Sequence, residues 1–344
     1  MAEHTLQDIL REIERHRRFV ITAHEKPDGD ALGAVLGLLR ILRDRGGEAV
    51  AAGLAPLPRR YGPFIRPGEC LAAEEAERVL EQDGACILAL DAGAAERCPA
   101  FVAAGRGRVP VLNIDHHGSN TRFGDFNWID PAASSVGEMV FRLAEAAGWT
   151  VSAAAAEMLW IAVVTDTGRF AYENTTPEAL RVGAELVARG VNTAAIDRQV
   201  YQSFTVRELA LQAQAMQGLE LHEGGRVALV GLSREDFARA GSGPEDAEDV
   251  ANIPRSVGGV KIGAFLYEVE KAPAAGQPPV VQTKLSLRCV EPYDGAAFCK
   301  AFGGGGHARA AGCTLPVRLP EARVRFLDAA HRTWFASPGA ELNP

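Results

Sequence analysis

Two segments of the chain, ACILALD (85–91) and VPVLNID (109–115), are almost continuously apolar, and each ends in an aspartate. Short runs of this kind are typical of strands that are buried on both faces, as in parallel sheets. RFVITAH (18–24) and EAVAAGL (48–54) have the same character, and helical apolar spacing follows in DALGAVLGLLRILRDRG (30–46). Because strands alternate with helices, we predict an α/β fold with a mostly parallel sheet flanked by helices.

The character of the chain changes after residue 220. Strand patterns then dominate, and KAPAAGQPP (271–279) is predicted as a turn between two strands. The predicted strands are RVALVGL, KIGAFLYEVE and VQTKLSLRC. A chain of 344 residues is long enough for two domains. We predict a catalytic domain over 1–195, a helical linker over 196–220 and a smaller α+β domain over 221–344.

Composition limits the partners of the chain. A net charge of −8 argues against a protein that coats long nucleic acid, but it does not exclude a short anionic substrate. No apolar run reaches the roughly 18 residues of a membrane span, and the charged N-terminus is unlike a signal peptide. The 6 cysteines form no Cys-x-x-Cys pair and indicate no disulfide framework. We therefore expect a cytoplasmic location and no membrane partner.

Histidines and aspartates recur where the predicted strands end. His24 follows one strand, Asp91 ends another, and Asp115, His116 and His117 end a third. In open α/β sheets, ligands bind at this carboxyl edge of the strands. A strand-terminal aspartate can also be a turn residue, and adjacent histidines can lie on the surface. Their recurrence on separate strands nevertheless predicts one site at the edge of the sheet.

Two further segments add carboxylates. HEKPDGD (24–30) contains Asp28 and Asp30 on a loop whose proline and glycine let side chains converge. Asp30 is also a good N-cap for the helix that follows, which is the alternative interpretation. TDTGRF (165–170) places Asp166 at the end of an apolar helix, where a carboxylate must be exposed, capped or coordinated.

Imidazole and carboxylate ligands without cysteine suit manganese, magnesium or zinc. The candidates are more than one ion takes from a protein, so we expect two ions that share a carboxylate. One of the two adjacent histidines can bind metal while the other faces substrate, with Asp115 orienting a ring. The candidate ligands are His24, Asp28, Asp30, Asp91, His116 and Asp166.

The segments HEKPDGD, LALDAG, NIDHH and TDTGRF together resemble the four motifs of the DHH phosphoesterases. GGGGHARAAG (303–312) resembles the glycine-rich signature of the DHH-associated domain. The resemblance covers nearly the whole chain. The stretch from Asn113 to Leu143 is similar to the stand-alone nanoRNases (oligoribonucleases) that also remove phosphate from 3′-phosphoadenosine 5′-phosphate.

The resemblance implies a metal-dependent exonuclease that degrades short oligoribonucleotides to nucleoside monophosphates, with that phosphatase activity. A water activated by two divalent ions, expected to be manganese, would be the nucleophile. Asp91 would bridge the ions, and His117 would face the scissile phosphate. The first ion would take His24, Asp28 and Asp91, and the second would take Asp30, Asp91, His116 and Asp166. Ala34 departs from the serine of many members but is not a ligand.

The second domain would hold the rest of the substrate, by the same resemblance. Its glycine run, including Gly304, Gly305 and Gly306, can expose backbone N–H groups to a phosphate, unless it is only a tight turn. The side chains of His307 and Arg309 would add donors. Arg255 and Arg288 are further candidates, whose alternative is an ordinary solvated arginine.

Other functions stay open at this point. A phosphodiesterase of cyclic or linear dinucleotides is the alternative within the family, while a RecJ-type exonuclease or an inorganic pyrophosphatase fits the chain less well. A non-catalytic nucleotide-binding regulator is the alternative from a different class. Relatives imply a possible homodimer, and the expected substrate is short RNA or a nucleotide.

Overall fold

The computed structural model describes residues 4–271 and 279–336. The chain divides into two compact units, Met1–Ser203 and Phe204–Pro344. The turn predicted at 271–279 lies outside the described residues except at its two ends. The predicted linker falls on both sides of the division and stays a prediction.

The first unit contains a six-stranded sheet and its helices. The strands are β1 (Arg18–Thr22), β2 (Glu48–Ala52), β3 (Cys70–Leu71), β4 (Ala85–Leu90), β5 (Val111–Asp115) and β6 (Phe126–Ile129). The helices are α1 (Leu6–Ile13), α2 (Gly29–Asp44), α3 (Ala73–Leu80), α4 (Ala100–Gly105), α5 (Val136–Ala146), α6 (Ala153–Asp166), α7 (Pro177–Ala188) and α8 (Thr193–Tyr201).

All neighbouring strands of this sheet are parallel, in the order β3-β2-β1-β4-β5-β6. The chain therefore builds outward from β1 in one direction through β2 and β3, and in the other through β4, β5 and β6. The order reverses between β1 and β4. Such a switch point leaves a crevice at the carboxyl ends of the strands.

The sheet is covered on both faces, which explains the continuous apolar runs. Alternate residues of β4 point to opposite sides. Leu88 packs in the core that includes α2, α5 and α6, whereas Ile87 packs in the core that includes α3 and α4. Every residue of β4 is buried as a result.

Helices α2 and α6 approach each other unusually closely. A Cβ added at Gly33 would lie 2.5 Å from the carbonyl oxygen of Met158 and 2.7 Å from Ala162. Gly29, one turn earlier, lies against Thr165 in the same way. Because only glycine leaves this space, these positions bring the start of α2 against the end of α6.

The second unit contains a mixed six-stranded sheet, in the order β11-β12-β10-β9-β8-β7. Its strands are β7 (Glu220–His222), β8 (Val227–Leu232), β9 (Ile262–Lys271), β10 (Val280–Cys289), β11 (Gly305–Gly306) and β12 (Ala310–Leu315). Its helices are α9 (Val206–Gln217), α10 (Arg234–Ala240), α11 (Gly295–Lys300) and α12 (Leu319–Ala330). Only β8 and β9 are parallel among the described strand pairs.

One face of the second sheet packs on α11 and α12, and the other packs on α9 and α10. The predicted fold class, a parallel α/β sheet followed by a second sheet unit, is confirmed. Among the described residues, no helix has the length and hydropathy that crossing a membrane would require.

Candidate active site at the carboxyl edge of the first sheet

The histidines and aspartates singled out in the sequence lie where β1, β4 and β5 end. These strands are neighbours in the sheet, and the switch point lies between β1 and β4. Asp91 comes directly after β4, Asp115 is the last residue of β5, and His24 lies two residues beyond β1. Strand order alone therefore gathers side chains from three distant parts of the sequence.

A first group brings together His24, Asp28 and Asp91. One ligand-type atom from each lies within 4.8 Å of the others. Nε2 of His24 is 3.5 Å from Oδ2 of Asp91. His24 and Asp91 are buried, and Asp28 is exposed. We refer to these three residues as the first cluster.

A second group brings together Asp30, His116 and Asp166, again with one ligand-type atom each within 4.8 Å. Nε2 of His116 lies 3.9 Å from Oδ2 of Asp30 and 3.8 Å from Oδ2 of Asp166. It also lies 3.8 Å from Oδ1 of Asp91. We refer to Asp30, His116 and Asp166 as the second cluster. Asp91 thus faces both clusters with its two carboxylate oxygens.

The hydrogen bonds of the two imidazoles orient them toward these carboxylates. Nδ1 of His24 lies 2.9 Å from the carbonyl oxygen of Glu25, and Nδ1 of His116 lies 3.2 Å from that of Ala133. A backbone carbonyl accepts only from a protonated Nδ1, which leaves Nε2 of a neutral ring with a lone pair. In its neutral form each ring is therefore held in the tautomer that suits metal binding through Nε2.

The N-cap of α2 is not Asp30, which was the alternative interpretation of that residue from the sequence. Asp28, rather than Asp30, is the N-cap of α2 and accepts a hydrogen bond from the N–H of Ala31. Asp30 instead accepts from the N–H groups of Val136 and Gly137, at 2.7 and 2.9 Å. These groups begin α5, so the helix terminus helps to fix a buried carboxylate.

His117 belongs to a separate hydrogen-bonded chain. Its Nδ1 lies 2.7 Å from Oδ1 of Asp115, which is fully buried. The Nδ2 group of Asn120 donates to Oδ2 of Asp115 and to Oδ1 of Asn113. Asp115 therefore orients the ring of His117, as the sequence allowed for one of the two histidines.

The asparagines that support the site were not predicted from the sequence. Asn113 is a polar residue inside an apolar strand, and that was a signal that could have been noticed. Asn120 and Asn174 lie in loops, and their contacts depend on the folded chain. Asn174 donates from Nδ2 to Oδ2 of Asp166 at 3.2 Å.

Burial disfavours charge on the buried members of the clusters, and the charges and hydrogen bonds of their neighbours determine the direction of each pKa shift. Burial and the charges of Asp91 and Asp166 raise the pKa of Asp30 well above its usual value. Burial raises the pKa of Asp166 to about 7. Burial opposes charge on the imidazoles, but the nearby carboxylates outweigh it and raise the pKa of His24 to about 9 and of His116 to about 10. The carboxylates and imidazoles of the two clusters thus lie close enough to shift one another's pKa values.

This donor set fits divalent cations. It combines carboxylate and imidazole groups without a thiolate, which suits manganese, magnesium or zinc. Oδ1 of Asp91 is buried and accepts no hydrogen bond from the described residues. A buried oxygen without a donor is costly, and a cation would satisfy it. The two clusters could therefore hold one ion each, with Asp91 between them.

In the second unit, two of the predicted substrate-binding residues, Arg255 and Arg288, lie near the start of β12. Arg288 lies on β10, where it pairs with Gly263 of β9 on one side and with Ala310 of β12 on the other. The backbone of Arg255 packs against Gly263, where an added Cβ would lie 2.7 Å from the nitrogen of Arg255. Sheet register thus brings Arg255, Arg288 and the start of β12 to the same region.

The glycine run is partly a β-hairpin rather than an open loop. Gly305–Gly306 form β11, which pairs with β12. The N–H of Gly304 donates to the carbonyl of Cys299, and the N–H of His307 donates to the carbonyl of Ala310. These two donors are therefore used within the unit. A phosphate-binding role for the run stays a prediction.

The arginines beside the hairpin are half-buried and hydrogen bonded. Arg309 donates to the carbonyl of Tyr293 and lies 3.2 Å from the carboxylate of Glu291. Arg288 donates to the carbonyl of Leu287 and to Oγ of Ser286. His307 is exposed. Each of these side chains could still donate a hydrogen bond to an anion, but these contacts identify no ligand.

The fold and the clusters define a class of protein, an α/β protein whose sheet switch point carries a candidate divalent-metal centre. The model of the DHH family, N-terminal domain, matches residues 18–163. The Bifunctional oligoribonuclease and PAP phosphatase NrnA of Thermus thermophilus is 33% identical over 311 residues, which cover 90% of this chain and 88% of that protein. The protein of the same name from Bacillus subtilis is 26% identical over 90% of this chain and 92% of its own length.

A solved structure agrees with these relatives. The exopolyphosphatase-related protein from Bacteroides fragilis matches with a TM-score of 0.84 and 26% identity, over 95% of both chains. The chain belongs to the DHH family of phosphoesterases. The sequence prediction of a DHH-family phosphoric ester hydrolase related to the bifunctional oligoribonucleases is therefore confirmed.

Proposed function

We propose that this chain hydrolyses short oligoribonucleotides (nanoRNA) to nucleoside monophosphates and removes phosphate from 3′-phosphoadenosine 5′-phosphate. The observation that carries the proposal is the position of Asp91, whose two carboxylate oxygens face two separate ligand clusters. The proposal is supported by relatives named for both activities that align along most of this chain.

The metal assignment follows the two clusters. His24, Asp28 and Asp91 would hold one ion, and Asp30, Asp91, His116 and Asp166 would hold the other. The chemistry supplied by such a pair, when bound, is activation of a water and neutralisation of charge on the phosphoryl group. Manganese is the expected metal, and magnesium or zinc are the alternatives that the same donors allow.

His117 is the residue proposed to act on the substrate directly. Burial opposes a charge on its ring, but the hydrogen bond and charge of Asp115 outweigh it and raise the pKa of His117. The ring therefore keeps a proton more readily, with Nδ1 directed at Asp115. Nε2 would stabilise a phosphoryl oxygen or give a proton to the leaving group.

The second unit would hold the remainder of the substrate. Its candidates are Gly304, Gly305, Gly306, His307, Arg309, Arg288 and Arg255. Guanidinium groups bind phosphate oxygens well, and three of these residues are arginines. A cytoplasmic location and a homodimer remain predictions from the sequence and from the family.

A kinetic comparison tests this function. With manganese supplied, turnover would be measured on a diribonucleotide, a five-nucleotide RNA, 3′-phosphoadenosine 5′-phosphate and a cyclic dinucleotide. We expect the highest kcat/KM on the short RNAs and measurable release of phosphate from 3′-phosphoadenosine 5′-phosphate. A clear preference for the cyclic dinucleotide would replace the proposal with the alternative within the family. No turnover of any substrate would favour a non-catalytic role.

A further inference from the structure

The turn that follows α6 has an uncommon backbone. Gly168, Arg169 and Phe170 all have positive φ, at 55, 62 and 60°. For residues other than glycine this conformation costs about 1–3 kcal/mol each, and it persists only where the surroundings hold it. Asp166, a member of the second cluster, lies two residues before this turn. Its position therefore depends on whatever holds the turn in place.

Asn174 follows the turn in the sequence and is hydrogen bonded to Asp166, which precedes it. Its Nδ2 group lies 3.1 Å from the carbonyl oxygen of Asp166 and 3.2 Å from Oδ2 of the same residue. It also lies 2.9 Å from the carbonyl oxygen of Ser134. One amide group thus joins the end of α6 to Ser134, which precedes α5 and lies 40 residues before Asn174 in the sequence.

The other two members of the second cluster, Asp30 and His116, are also hydrogen bonded to residues around the start of α5. The carbonyl of Ala133 lies 3.2 Å from Nδ1 of His116. The N–H groups of Val136 and Gly137 donate to the carboxylate of Asp30. The segment 133–137 is therefore a common support for Asp30 and His116, and Asn174 ties Asp166 to it.

A buried carboxylate stabilises this segment in turn. Glu138 accepts hydrogen bonds from the N–H of Ser134 at 3.0 Å and from its Oγ at 2.7 Å. The first cluster has different supports. His24 bonds to the neighbouring carbonyl of Glu25, and Asp28 accepts from Ala31 in the first turn of α2, both within residues 24–31. The hydrogen bonds that support His24 and Asp28 thus come from residues 24–31 and do not involve Asn174.

We propose that Asn174 is a positioning residue that fixes Asp166, and with it the second metal position, while leaving the first metal position intact. This inference rests on the metal assignment of the proposed function. The amide binds no ion itself. It acts by holding a ligand that terminates a helix and precedes a strained turn.

The test is a Mn²⁺ titration of the full-length chain, followed by the electron paramagnetic resonance signal of the free ion. The wild type should bind two ions. Asn174→Ala should keep one ion at wild-type affinity and bind the other about 10- to 100-fold more weakly, as is usual when a residue that supports a ligand is removed. Asn174→Gln retains an amide donor and should recover part of that affinity.

Asn192→Ala is the matched control. It makes the same chemical change in the same unit and removes the side chain that caps α8, so it reports a general loss of stability. Both ions should bind to it as they bind to the wild type. Two ions bound to Asn174→Ala at wild-type affinity would overturn the positioning role. Equal weakening of both ions would also overturn it. A wild type that binds no ion would overturn the proposed function and this inference with it.

Discussion

Asp91 combines a left-handed backbone conformation with a buried carboxylate. It lies directly after a buried strand with φ at 50°, in the left-handed region, which aspartate and asparagine adopt more readily than most residues other than glycine. Its side chain is nevertheless a carboxylate that is only 2% exposed. A glycine would relieve the backbone but would leave both clusters without their shared oxygen pair. The strain at this residue is therefore best explained by the site it serves.

Replacement of Asp91 by asparagine tests this interpretation at the residue scale. Asparagine tolerates the left-handed conformation and has nearly the same shape, so Asp91→Asn should fold normally. Loss of the shared charge should lower kcat on every substrate by more than about 100-fold, the upper end of what loss of a supporting residue costs. Steady-state kinetics would measure this. Asp83→Asn, the same change at an exposed position, should have wild-type activity. Near-normal activity of Asp91→Asn would contradict a shared carboxylate.

The residues that carry chemistry could be predicted where their type and position were both unusual. His24, Asp91 and His116 follow apolar strands, where an imidazole or a carboxylate needs a reason. Asn120 and Asn174 could not be predicted, because an asparagine in a loop is ordinary. Their importance depends on partners 5 to 40 residues away, which only the folded chain brings near.

At the scale of elements, the close pair α2 and α6 sets the spacing of the site. The loop before α2 carries Asp28, and α6 ends at Asp166. Glycines on α2 allow the two helices to touch where larger side chains would separate them. A shift of either helix along or away from the other would move Asp166 relative to Asp28 and Asp30.

Gly33→Ala tests the close approach. Alanine favours a helix over glycine by about 1 kcal/mol, so an unpacked position would gain stability. Here the new Cβ would meet backbone atoms of α6 at 2.5 and 2.7 Å. We therefore expect a net loss of about 1–3 kcal/mol in the free energy of unfolding, with lower activity because Asp166 moves. Urea denaturation would measure the loss. Gly62→Ala, which meets no atom within 4 Å, should be nearly neutral.

A buried ion pair stabilises the packing of α2 and α6 at their other ends. Arg40 of α2 donates to both carboxylate oxygens of Glu69 and to the carbonyls of Phe64 and Ala154. The side chains of Arg40 and Glu69 are 4% and 3% exposed. Burial opposes charge on Glu69, but the hydrogen bonds and charge of Arg40 outweigh it and lower its pKa.

Glu69→Gln should therefore leave a buried charge on Arg40 without its partner and cost about 3–5 kcal/mol. Because the pKa of Glu69 is lower in the folded chain, its stabilisation is present above the unfolded value of 4.5 and is lost as the pH falls through the lowered folded value. The stability difference between wild type and variant should be full at pH 7 and should shrink below about pH 4.5. A constant difference across that range, by denaturant titration at each pH, would contradict this account.

Long strands and helices could be predicted from the sequence, and very short ones could not. Buried strands such as β1, β4 and β5 and the long helices α2 and α6 could be predicted from apolar patterns. Strands β3 and β11 have two residues each and are too short to show a period. The glycine run predicted as a loop forms part of a hairpin, because the backbone of glycine can pair closely with β12 where a side chain would collide.

At the scale of the whole molecule, each unit has its own sheet and its own apolar cores. All six candidate metal ligands lie in the first unit, Met1–Ser203. Ions that bind only a folded state stabilise that state, by about 2.7 kcal/mol at a concentration 100 times their Kd. Metal should therefore stabilise one unit and not the other.

Differential scanning calorimetry with manganese and with a chelator tests this expectation. A chain with two units need not unfold in one step. We expect manganese to raise the Tm of one transition and to leave the other unchanged, and we expect the chelator to reverse the shift. Equal shifts of the whole profile, or none, would contradict metal binding confined to the first unit.

The central claim is that residues from distant parts of the sequence hold two ions on either side of Asp91. Anomalous diffraction at the manganese edge, from crystals grown with Mn²⁺, tests it most directly. The account predicts two anomalous peaks, one among His24, Asp28 and Asp91 and the other among Asp30, His116 and Asp166, each within coordination distance of an oxygen of Asp91. An absence of peaks there, or a single peak that does not contact Asp91, would contradict it.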